Sequence, residues 1–126
     1  MSYRFYNANP SKKLVGDCVI RAISKASGLS WKTVHMLTAI ESNEENDIQN
    51  SNSVCGAVLR DLGFRKYPIP NTCPDCYTIR DFCYDHPYGT YVLATGSHVV
   101  AVEDGDYYDS WDSGDEVPIV YWRKED

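Results

Sequence analysis

The sequence predicts an α+β protein, with N-terminal helices packed on a C-terminal antiparallel sheet. Three observations carry that expectation. Val19, Ile20, Ala22, Ile23 and Ala26 recur at helical spacing and stop at Gly28. Two further helical patterns follow before Gly63. From Tyr91 onward the chain changes to short β-branched and aromatic runs separated by turn signals, the strongest of which is Asp104-Gly105. Helices first and a strand meander afterwards is an α+β arrangement. A length of 126 residues with 43% hydrophobic and 24% charged residues suits one domain, 1–126, that can bury a real core.

Residues 1–15 read as an irregular lead-in with a short strand at Tyr3 to Tyr6 and a turn at Asn9-Pro10. Lys12 and Lys13 are solvated. Gly16 permits a tight entry into the first helix, which places Cys18 in its first turn. The free amide groups there favour a thiolate, the form in which cysteine is a nucleophile. The adjacent Asp17 carboxylate opposes a thiolate, so it is expected to cap the helix and point away from the sulfur. Ser30 caps a second helix, Trp31 to Ile40, with Trp31, Val34 and Leu37 available to a core and His35 as a surface or packing residue. The polar run 41–47 is a solvated loop or a frayed helix end. Ser53 opens a third helix, through Val54, Ala57, Val58, Leu59 and Leu62, that Gly63 stops; Cys55 packs or lies exposed on it.

Phe64 to Ile69 is a strand ending at prolines. Thr78-Ile79-Arg80-Asp81 has the form of a capping box, so Thr78 to His86 is a short helix with Ile79, Phe82 and Cys83 inward. Tyr91 to Thr95 pairs antiparallel with the strand that follows His98. Val117 to Trp122 makes the last strand, and Pro118 places it at a sheet edge or at its own start.

The hairpin register brings chemistry together. With Asp104-Gly105 as a two-residue turn, Glu103 pairs with Asp106, Val102 with Tyr107, Val100 with Asp109 and His98 with Trp111. His98 and Asp109 then share a face, within reach of one hydrogen bond. A three-residue loop would reverse the parity and favour Asp112. A cysteine at a helix start, a histidine opening a strand and an aspartate on the next strand match the nucleophile, base and orienter of thiol hydrolases. Trp111, opposite His98, and Asp17, beside the sulfur, are the candidates for substrate contact.

The segment Gly16-Asp17-Cys18-Val19-Ile20-Arg21-Ala22-Ile23 and the segment from Gly96-Ser97-His98 to Asp109-Ser110-Trp111-Asp112 resemble the small papain-like cysteine peptidase-type proteins of bacterial and bacteriophage genomes. The resemblance covers nearly the whole chain in outline, and only those two segments are specific. It implies a papain-like fold, with Cys18 as nucleophile, His98 as general base and Asp109 as orienter. Papain-like enzymes also use an amide side chain a few residues before the cysteine as an oxyanion donor, usually glutamine. No glutamine stands there in this chain; Asn7 and Asn9 are the upstream amides, and Asn9 is preferred because Pro10 fixes the turn after it.

Function is thus expected to be amide or related acyl hydrolysis through a thioester, on a protein or peptide substrate, with no metal or organic cofactor required. The alternative is a non-catalytic binding module on the same scaffold, which sequesters a ligand or blocks a host partner. Composition narrows the partners. A formal net charge of −6 argues against nucleic acid. The chain has no long apolar run for a membrane span and no signal-peptide pattern at Met1 to Tyr6, which points to a cytoplasmic protein. Five cysteines in a reducing compartment read as free thiols, metal ligands or catalytic groups rather than a disulfide framework. Cys73 and Cys76 have zinc-knuckle spacing, with Cys83 and His86 as further ligands, so a structural zinc site is a rival to ordinary turn and packing roles. Redox chemistry at Cys73-Pro74-Asp75-Cys76 lacks the strand-to-helix context such motifs need.

Overall fold

The computed structural model describes residues 2–125; Met1 and Asp126, the ends of the expected domain, lie outside the described residues. In chain order the elements are β1 (Tyr3–Phe5), α1 (Cys18–Ser27), α2 (Trp31–Glu45), α3 (Asn52–Asp61), β2 (Phe64–Pro68), α4 (Ile79–Asp85), β3 (Thr90–Ala94), β4 (Val99–Glu103), β5 (Asp106–Asp109) and β6 (Val120–Lys124). The α+β class holds. The strands form one six-stranded sheet in the order β1-β5-β4-β3-β6-β2.

That sheet is the middle layer. Val92, Ala94, Val99, Ala101, Val120 and Trp122 face a core shared with α1, α2 and α3. Tyr91, Leu93, Val100, Val102 and Tyr107 face a second core with Ile79, Phe82 and Cys83 of α4. Successive residues of β3 and β4 thus enter opposite cores, as the strand period of two requires. Because both faces are covered, these strands read as unbroken apolar runs rather than as alternations. α1 is almost wholly embedded, and Gly28 ends it in the left-handed conformation at φ 79°, which glycine adopts without steric cost.

Several expectations are corrected. The sheet is mixed, because β1 runs parallel to β5, with Tyr3 beside Tyr107 and Phe5 beside Asp109. Of the two placements open to the last strand, the edge is not taken, since β6 lies between β3 and β2; Pro118, which has no N–H for a ladder, stands instead just before its start. β2 takes the edge instead. α2 runs on through Glu45, since the polar residues at 41–45 are compatible with a solvated helix and the first left-handed residue is Asn46, at φ 56°. α3 is capped by Ser51, whose hydroxyl accepts the Val54 N–H at 3.1 Å, while Ser53 turns to the Glu45 carboxylate. The capping box at α4 forms as read: Thr78 accepts the Asp81 N–H and the Asp81 carboxylate accepts the Thr78 N–H.

The cysteines also depart from the sequence reading. Cys73 and Cys76 are joined in a disulfide, whereas Cys18, Cys55 and Cys83 are free. The four proposed zinc ligands therefore do not converge. Cys83 is buried in the second core, and the His86 ring stacks on Phe82 while its Nδ1 lies 2.8 Å from the Phe82 carbonyl. Among the described residues, no group of three or more His, Cys, Asp or Glu is placed to hold a metal ion, and no helix is long and apolar enough to cross a membrane.

Candidate active site

Cys18 is the first residue of α1, and the chain on either side of it is fastened by one carboxamide. Asn50, in the connection between α2 and α3, accepts the Val19 N–H at 3.3 Å and donates to the Gly16 carbonyl at 3.0 Å. The helix axis thus aims its amide end at the half-buried sulfur.

His98 arrives from the turn before β4. Thr95 Oγ1 accepts the N–H groups of Ser97 and His98 at 3.1 and 2.9 Å, and the Thr95 N–H returns to the His98 carbonyl at 2.8 Å. Asp109 arrives as the last residue of β5. Asp104 and Gly105 both have positive φ, 50° and 81°, as a two-residue hairpin turn of the twisted kind demands. The ladder accordingly pairs Glu103 with Asp106 and Val102 with Tyr107. That register brings His98 Nε2 to 2.6 Å from Asp109 Oδ2. The other aspartate, Asp112, faces Tyr107 and Arg80. With Nε2 engaged, Nδ1 is the ring nitrogen left for the sulfur.

Asp109 is the hub of the polar cluster. It is 0% exposed, and every donor around it is specific: Ser113 Oγ at 2.6 Å on Oδ2, the Ser110 N–H at 2.8 Å and Arg21 Nη2 at 2.9 Å on Oδ1. Tyr3 and Tyr6 hold its main-chain carbonyl, through a hydroxyl and an N–H. Arg21 in turn gives Nη1 to Asp17 Oδ1 at 2.7 Å, and the second Asp17 oxygen accepts the Trp31 indole N–H at 2.7 Å. Asp17 and Arg21 are each only 4% exposed.

These contacts fix the charges. Burial pushes the Cys18 thiol up, but the facing His98 ring, the Val99 backbone and the Arg21 cation outweigh it and bring the thiol below its ordinary value. Burial disfavours the His98 cation, yet the bonds to Asp109 and Cys18 raise it to about 9. For Asp109, burial acts upward, while His98, Ser113 and Arg21 hold the carboxyl below the usual range. These contacts therefore favour the charged imidazole and, opposite it, the thiolate over the thiol. Cys55, fully buried on α3, is the contrast: burial first, and the nearby Cys18 second, push its thiol far up. Its sulfur is inert packing.

The sulfur and imidazole open into a cleft of about 440 Å³ whose walls are Ile48, Asn50 and Asn52 on one side and Gly96 and Ser97 on the other. Trp111 lies over the His98 ring with centroids 4.8 Å apart and remains 46% exposed, so it is available to a substrate. Asp17 is not. It makes no side-chain cap, and both of its oxygens are occupied by Arg21 and Trp31, so the expected capping and substrate-contact roles are both replaced. Asn9 is likewise corrected: it is absent from the cleft walls, and its side chain accepts the Ser11 N–H at 2.8 Å within its own turn. Asn50, by contrast, lines the cleft together with Cys18 and His98.

Arg21, Asn50, Ser113 and Trp31 were not read as site residues from the sequence. Arg21 left a signal there, as a cation among the apolar positions of α1 four residues after an aspartate, the spacing of a helical ion pair. Asn50 left none, because its role depends on how the α2–α3 connection folds back over α1. Comparison with protein-family models, with curated proteins and with solved structures yields no match.

Proposed function

We propose that this protein is a papain-like thiol hydrolase acting on amide or related acyl bonds of a peptide or protein. The observation that carries the reading is the His98–Asp109 bond at 2.6 Å, made through Nε2 so that Nδ1 is left for Cys18. In this reading the Cys18 thiolate attacks the substrate carbonyl carbon. The oxyanion that forms is met by the Cys18 N–H at the start of α1 and by the Asn50 carboxamide. His98 then passes its Nδ1 proton to the departing amine, leaving a thioester on Cys18. Water, deprotonated by His98, attacks that thioester, releases the carboxylic acid and restores the Cys18 thiolate opposite the His98 cation. Asp109 keeps the ring oriented and its charge balanced throughout.

A non-catalytic binding module on the same scaffold is the second reading, favoured by one observation: the upstream amide, Asn9, serves its own turn instead of the cleft. The two readings part at the sulfur. Alkylation of Cys18 by iodoacetamide, followed by peptide mass spectrometry, is expected to proceed well below the ordinary thiol titration near pH 8.5 and to lose that low-pH reactivity in His98→Ala. Labelling that rises only near pH 8.5 in both proteins refutes the hydrolase and leaves the binding module.

A further inference from the structure

We infer that Asp17 and Arg21 are positioning residues of opposite sign that set, from behind Asp109, the charge balance of the Cys18–His98 pair. The inference rests on the reading of that pair as thiolate and imidazolium. Its basis is a chain of alternating charge: Asp17, Arg21, Asp109, His98 and Cys18. The first four are linked by contacts of 2.7, 2.9 and 2.6 Å. Arg21 divides its two terminal nitrogens between the two carboxylates, so it is a relay and not the partner of either alone.

Stability is a poor reason for such a chain. Removing two carboxylates and a guanidinium from water costs several kcal/mol per ion, and apolar residues of similar volume usually serve as well or better. What the buried ions supply is a field that solvent screens little. Among the described residues, Arg21 of α1, Cys55 of α3 and Asp109 of β5 act on the pair directly, and Asp17, Ser113 and Tyr3 stand one contact further back, on Arg21 and on Asp109. Among these, Asp17 and Arg21 are the charged groups that never touch the ring or the sulfur.

Opposite signs give opposite consequences. With the Arg21 charge removed, the thiolate loses a nearby cation and the imidazolium loses a repulsion, so both groups release their protons at higher pH. With the Asp17 charge removed, Arg21 is no longer offset and both release them at lower pH. A merely structural role predicts a loss of amplitude in either variant and no opposed displacement.

The test is the alkylation rate of Cys18 in the full-length chain, from about pH 4 to 10, for the wild type, Arg21→Gln, Arg21→Lys and Asp17→Asn, with circular dichroism as the check on folding. The acid-limb midpoint is expected to rise by about 0.5 to 1 unit in Arg21→Gln, to fall by a similar amount in Asp17→Asn, and to stay near the wild type in Arg21→Lys. Folded Arg21→Gln and Asp17→Asn variants whose midpoints move together, or not at all, overturn the inference. If Arg21→Gln does not fold, Asp17→Asn decides alone: a lowered midpoint supports the inference and an unmoved one refutes it. A wild type with no low-pH reactivity overturns the hydrolase reading and this inference together. A reactive wild type with unmoved variants overturns this one only.

Discussion

Ser113 donates its hydroxyl to the same Asp109 oxygen that holds the His98 ring, and both aspartate and serine are buried. Removing a buried donor from a charged acceptor costs more than removing a neutral bond. Ser113→Ala is therefore expected to lower unfolding stability by about 1.5–3 kcal/mol in a urea titration. A loss within the error of such a titration would show that water replaces the hydroxyl. His98 adds a pH signature. Its cation titrates at 6.5 in the unfolded chain and about 9 in the folded one, so it contributes stability that is fully present below about pH 6.5 and is lost as pH rises through about 9. In the wild type the lowered Cys18 thiol offsets this, because the pair then binds one proton folded and unfolded alike, so the urea midpoint is expected to stay nearly level between those values, whereas in Cys18→Ser, where only the ring titrates, it is expected to fall as pH rises. A level midpoint in Cys18→Ser would mean that the ring is not charged in the folded protein. The His98–Asp109 contact was legible in the sequence, since the Asp104-Gly105 turn sets the strand parity that places both on one face. The role of Asp17 is not legible locally, because Arg21 and Trp31 occupy both oxygens of a carboxylate that would otherwise cap the helix.

At the level of elements, α1 has two tasks that its sequence separates cleanly. Val19 and Ile23, both 0% exposed, anchor it on the sheet, while Cys18 at its start remains reachable. Ile23→Ala is expected to cost about 2–5 kcal/mol, because a cavity opens in a core that cannot collapse around it. Ile48 is 70% exposed on the cleft wall, so Ile48→Ala should change stability by less than about 0.5 kcal/mol while altering the rate at which bulky alkylating probes reach Cys18. Equal stability losses for the two variants would contradict the contrast between the embedded face of α1 and the open wall of the cleft. The hairpin, the capping box of α4 and the stop at Gly28 were readable because each is dictated by a few adjacent residues. The caps of α2 and α3 were readable only in kind. Two serines, Ser51 and Ser53, both satisfy the local rule, and the tertiary contact of Ser53 with Glu45 decides between them.

Across the whole molecule, strand order was the least legible feature. Nothing local tells β6 to cross past β3 and lie inside β2, or tells β1 to join β5 in parallel; both placements are pairings between segments far apart along the chain. The zinc reading failed at this scale as well. Cys83 and His86 were claimed by the α4 core, where Phe82 and Tyr91 surround the His86 ring. Chelation with EDTA is accordingly expected to leave the melting temperature and the Cys18 alkylation rate unchanged. A drop in either would restore a metal site. Reduction of the exposed Cys73–Cys76 bridge should also leave the alkylation rate unchanged, as neither cysteine borders the cleft.

The topology also bears on when the surroundings of the sulfur are assembled. Arg21 and Asp109 are 88 residues apart along the chain, and His98 comes from the same late hairpin as Asp109. During synthesis, α1 emerges long before the groups that ionise Cys18 exist, and contacts between such distant segments form late. In the proposed reading, a nascent or misfolded chain carries an ordinary, slow thiol and nucleophilic power comes only with the completed fold, so that low-pH thiol reactivity would read out maturation.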